Sequence, residues 1–78
     1  MIRVKLFGVA RDIVGSSTLE LEDEVKTVGE LLDLLKIRYV QLTKLTSLLI
    51  AVNEEYAELS DPVHERDEIA LIPPVSGG

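Results

Sequence analysis

The chain has 78 residues, 46% of them hydrophobic, with a formal net charge of −6 and no cysteine. This length makes one domain with a thin core, and the missing cysteine excludes disulfides, thiolate zinc sites and a cysteine nucleophile. The acidic balance argues against nucleic acid, which needs a basic patch, and favours partners with basic surfaces. No apolar run approaches membrane-spanning length, and Arg3 and Lys5 interrupt the apolar stretch a signal peptide would need. No membrane association and a cytoplasmic location are therefore expected.

Residues 1–7 alternate, with Ile2, Val4 and Leu6 on one face and Arg3 and Lys5 on the other, and predict a strand laid on a core. Phe7 puts an aromatic on the polar side. It either packs beneath a loop, which is the expectation, or meets a partner. Gly8 and Gly15 bracket a segment long enough for one or two helical turns. Thr18-Leu19-Glu20-Leu21-Glu22 alternates again and, after so short a connection, should pair antiparallel with the first strand.

Thr27 opens the clearest helix, because Thr27 and Glu30 form a capping-box pattern. Val28, Leu31, Leu32, Leu35 and Tyr39 make its apolar stripe, and Leu34 and Ile37 are expected to widen that stripe into the core. Residues 40–47 read either as another helical turn or as loop. Leu48-Leu49-Ile50-Ala51-Val52 predicts a buried strand, Asn53-Glu54-Glu55 a turn, and Tyr56 a short edge segment. Asp61-Pro62 marks a further turn and residues 63–66 a connection. Residues 68–72 form the last strand, whose unbroken apolar run predicts a central position covered on both faces.

The run Leu71-Ile72-Pro73-Pro74-Val75-Ser76-Gly77-Gly78 then organises the whole chain. The prolines end a ladder and hold the chain extended, while Gly77 and Gly78 pass where any side chain would clash. Such a tail reaches roughly 20 Å beyond a domain. Two units are expected: a domain over residues 1–72 and a tail over 73–78. His64, the sole histidine, reads as a solvated loop residue, and no set of residues has the spacing of a metal or catalytic centre.

Residues 67–78, from Asp67-Glu68 to Gly77-Gly78, resemble the C-terminal signature of the molybdopterin synthase small subunit family of ubiquitin-like sulfur carriers. Val4-Lys5-Leu6-Phe7-Gly8, Arg11-Asp12, Thr27-Val28-Gly29-Glu30-Leu31-Leu32 and Ala51-Val52-Asn53 resemble it too. The chain departs from the family where Arg66 precedes Asp67 and where Glu54 follows Asn53, at places where the family usually has glycine. The resemblance implies an α+β, ubiquitin-like β-grasp fold: a mixed sheet packed on one main helix, with an extended C-terminal tail.

It also implies a mechanism. An E1-like enzyme adenylates the Gly78 carboxylate with ATP, and a sulfur donor converts it to a thiocarboxylate. The tail then enters the large subunit of molybdopterin synthase and gives its sulfur to cyclic pyranopterin monophosphate, in molybdenum cofactor biosynthesis. Two sulfurs per dithiolene imply a heterotetramer. Gly78 is then the reacting residue; Pro73, Pro74, Val75, Ser76 and Gly77 guide the tail, and Phe7 is a candidate partner contact. The chain itself would bind no cofactor and catalyse nothing alone. Alternatives are a sulfur carrier for thiamine thiazole synthesis and a ubiquitin-like protein modifier.

Overall fold

A computed structural model describes residues 1–45 and 47–74. Its elements are β1 (Ile2–Leu6), α1 (Gly8–Val14), β2 (Thr18–Leu21), α2 (Val28–Arg38), a 3₁₀ turn (Val40–Lys44), β3 (Leu49–Val52), β4 (Glu55–Tyr56) and β5 (Ile69–Ile72). The five strands form one mixed sheet in the order β2-β1-β5-β3-β4. β1 pairs antiparallel with β2 and parallel with β5, and β3 pairs antiparallel with both β4 and β5. With one main helix on one face, this is the β-grasp arrangement.

Period-two alternation decides which residues reach the core. Ile2, Val4 and Leu6 are buried while Arg3 and Lys5 are exposed. Register carries the pattern across the sheet, aligning Leu6 with Leu71 and Leu71 with Ile50 beneath the helix. The helix contributes Val28, Leu31, Leu32 and Leu35, and Leu42 of the 3₁₀ turn closes the end of the core. Each such side chain taken out of water stabilises the fold by about 1.5–3 kcal/mol. Residues 40–47 thus supply a core residue from a tight turn.

The helix start combines several interactions. Thr27 Oγ1 accepts a hydrogen bond from the Glu30 amide at 3.2 Å, as the capping box requires. The Glu30 carboxylate accepts from the Lys26 amide at 3.1 Å, one residue before the expected partner. The Val28 and Gly29 amides, unpaired in any helix start, donate to the carbonyls of Asp61 and Leu59, both at 2.9 Å. Val63, expected as a mere connection, is buried, and its amide donates to the Lys26 carbonyl at 2.9 Å.

Four expectations need correction. β5 is central, but only Ile69 and Leu71 are buried; Ala70 and Ile72 are half-buried because the helix covers one face alone. Leu49, expected inside a buried strand, is 49% exposed for the same reason, since its register partner is Ile72. Ile37 is 74% exposed, as it lies on the solvent side of α2, whereas Leu34 and Tyr39 pack partly against the core. Phe7 is 49% exposed and does not pack beneath a loop.

Candidate functional site

The tail grows from β5, and both ends of that strand are fixed. At its entry Asn53 acts as a clasp. The Asn53 amide donates to the Glu68 carbonyl at 2.7 Å, and Asn53 Oδ1 accepts from the Glu68 amide at 3.0 Å. Asn53 Nδ2 donates to Asp67 Oδ1 at 3.1 Å, while Asp67 Oδ2 accepts from the His64 amide at 2.8 Å. His64 is exposed and contributes its backbone. The turn before β5 does not need the family's glycine, since Arg66 has no positive φ.

At the exit, Pro73 and Pro74 are half-buried. Gly8 has φ +52°, and a Cβ placed there would stand 3.3 Å from Cγ of Pro73. A side chain at Gly8 would therefore suffer backbone strain and crowd the proline ring. That contact joins the tail's base to the turn between β1 and α1. Val75, Ser76, Gly77 and Gly78 lie outside the described residues, as does Thr46.

Beside this exit lies the sheet face opposite the helix. Register places Lys5, Ala70, Ala51 and Tyr56 in one row across it, and Leu49 beside Ile72 in the next. Tyr56 is 70% exposed. With Phe7, the apolar residues Leu49, Tyr56, Ala70 and Ile72 leave surface around Lys5 that no element of the described chain covers. Sequence reasoning found Phe7 but missed Leu49, Tyr56 and Ile72; the signal available was period-two spacing, which puts Leu49 on the face of Ala51 and Ile72 on the face of Ala70. A recess of about 200 Å³ on this face is lined by Lys5, Phe7, Ala51, Glu54, Glu68 and Ala70.

The remaining charges are ordinary surface pairs. Lys5 Nζ lies 3.3 Å from Glu68 and Arg3 lies 3.8 Å from Glu20, both solvent-exposed. Toward the entry end of β5, the amino terminus donates to Glu65 at 2.8 Å, and that hydrogen bond, with the ammonium charge, holds the Glu65 carboxyl below its usual range. Among the described residues no group of His, Asp and Glu could hold a metal ion. No helix of the described chain is long and apolar enough to cross a membrane. The described residues thus hold the base of the tail firmly at Pro73 and leave an apolar face open beside it.

Fold and site together define a small ubiquitin-like carrier protein. The ThiS family model matches residues 4–78, and the chain belongs to that family. It is 40% identical to the molybdopterin synthase sulfur carrier subunit of Arabidopsis thaliana, covering 99% of this chain and 82% of that one. It is 33% identical to the Haemophilus influenzae protein of the same name, over the full length of both. Among solved structures, SAMP1 from Haloferax volcanii superposes with a TM-score of 0.80 at 31% identity, covering 99% of this chain and 98% of that one.

Proposed function

We propose that the chain is the sulfur carrier subunit of a molybdopterin synthase. The observation that carries this reading is the anchored exit of β5: a central strand, clasped at its entry, leads into Pro73, which packs beside Gly8, and then through Pro74 to Val75-Ser76-Gly77-Gly78. The names of relatives covering nearly all of the chain point to the same role.

In this reading Gly78 is the reacting residue. A carboxylate is a poor acyl donor, so an oxygen of Gly78 attacks the α-phosphorus of ATP within an E1-like enzyme and expels pyrophosphate. Hydrosulfide from the sulfur donor then attacks the carbonyl carbon and expels AMP, and loss of the thioacid proton leaves a thiocarboxylate. The large subunit takes up the tail, and cyclic pyranopterin monophosphate receives the sulfur. The chain performs no catalysis of its own and holds no cofactor; ATP belongs to the activating enzyme. It works in the cytoplasm, without nucleic acid or membrane. Pro73 to Gly77 form the slim guide, and the open face around Phe7 docks the large subunit. Prolines that are extended beforehand reduce the ordering cost of tail insertion, which is about 1–2 kcal/mol per residue.

The test is the intact mass of the chain after incubation with ATP, the activating enzyme and a sulfur donor. A rise equal to replacing one oxygen by sulfur, located at Gly78, supports the carrier reading. An unchanged mass, with the same enzyme active on a known carrier, overturns it. A second reading, the protein modifier, is favoured by the likeness to small archaeal modifier protein 1 of Methanosarcina acetivorans, with a TM-score of 0.81 at 27% identity. Isopeptide adducts joining Gly78 to lysines of other proteins would distinguish it.

A further inference from the structure

The recess on the open face carries more information than its apolar character. Its floor is the register pair Ala51 and Ala70, the smallest side chains in the middle of the sheet. Phe7 forms one wall, and the carboxylate-bearing Glu54 and Glu68 line its rim. Asn53 holds Glu68 in place through two backbone hydrogen bonds, and Glu54 is the very next residue of the turn. Lys5 already pairs with Glu68, whereas the Glu54 carboxylate has no hydrogen-bond or ion-pair partner among the described residues.

Glu54 also occupies a costly position. Its φ is +71°, a left-handed conformation in which glycine is unstrained and a glutamate is not. The two-residue hairpin turn Asn53-Glu54 between β3 and β4 sets that conformation, and the side chain makes no hydrogen bond or ion pair among the described residues. An apolar floor, an aromatic wall and an unpaired carboxylate at the rim match a long side chain with an alkyl stem and a cationic head. Arginine fits better than lysine, because a planar guanidinium stacks on an aromatic ring and bridges two carboxylates.

We propose that this recess receives an arginine of the molybdopterin synthase large subunit. The stem lies on Ala51 and Ala70 against Phe7, and the guanidinium meets Glu54 with Glu68 beside it. The inference rests on the carrier reading and adds the chemistry by which this chain recognises that partner. The chain's acidic surplus, with 14 acidic against 8 basic residues, brings a basic surface toward it.

The test is calorimetric titration of the full chain with its cognate large subunit. Glu54→Gln should weaken binding about tenfold and Glu54→Arg about a hundredfold, with the gap narrowing as salt is raised. Glu54→Gly, which relieves the backbone, should also weaken binding, and that loss cannot come from unfolding. Changing one large-subunit arginine to glutamate should restore affinity for the Glu54→Arg chain. Wild-type affinity in all three variants would overturn the inference while leaving the carrier reading intact. A wild-type chain that takes up sulfur yet fails to bind the large subunit would overturn the molybdopterin assignment and the inference with it. A dimer of the chain alone that dissociates on Glu54→Gln would assign the recess to a second copy and overturn it equally.

Discussion

The two faces of the sheet are built from neighbouring residues of the same strands, yet they answer to different demands. Val4, Leu6, Ile50, Ile69 and Leu71 face the helix and are almost wholly buried. Lys5, Leu49, Ala70, Ile72 and Tyr56 face outward, and much of their apolar surface stays in contact with water. Folding explains the first set, since each buried side chain contributes to a core that has little to spare. It does not explain the second. Exposed apolar surface gathered beside the tail exit adds nothing to the core, and in the proposed reading it is where the large subunit docks.

Substitutions on each face should therefore separate stability from binding. The largest effect belongs to the covered face: Leu71→Ala should cost about 2–5 kcal/mol, read from a denaturant midpoint, because it opens a cavity under α2. On the open face Phe7→Ala should leave that midpoint nearly unchanged but weaken large-subunit binding about 10- to 100-fold. Equal losses of stability on both faces would erase the distinction. Gly8→Ala tests the joint between the tail base and the turn, and should destabilise by about 1–2 kcal/mol through its left-handed backbone and the Pro73 ring.

Glu54→Gly should move the other way, stabilising by about 1 kcal/mol in thermal unfolding while binding falls. The smallest effect lies farthest from the tail. The amino terminus holds the Glu65 carboxyl below the usual glutamate range, first by the hydrogen bond and then by the charge. A lowered folded-state pKa contributes stability above the unfolded value, and this is lost as pH falls through the folded one. An NMR titration should show Glu65 protonating below the usual glutamate range, and acetylating the amino terminus should abolish that shift.

The contrast between the faces also explains what could be read from the sequence. Alternation in β1 gave its inward residues correctly because Arg3 and Lys5 mark the outward side. The capping pattern located the start of α2 because its chemistry is local. Ile69-Ala70-Leu71-Ile72 offered no polar marker, so an unbroken apolar run looked covered on both sides. Only the sheet order and the single helix reveal that Ala70 and Ile72 lack a second layer. Phe7 failed as a core residue for the same reason. Glu54 stood out as a departure from the family's pattern, but its positive φ and its place on the recess rim needed three-dimensional context.

Placing β5 between β1 and β3 has a consequence for the chain's synthesis. The β1–β2 pair and the β3–β4 pair share no ladder with one another; residues 69–72 alone join them. Those residues come after the other four strands in chain order, so the halves of the sheet stay apart until they are made. Parallel pairing of β1 with β5 closes the longest loop in the molecule and has to wait for that moment. Without β5 the β1–β2 and β3–β4 pairs have no strand in common, so residues 69–72 decide whether one sheet exists or two separate hairpins.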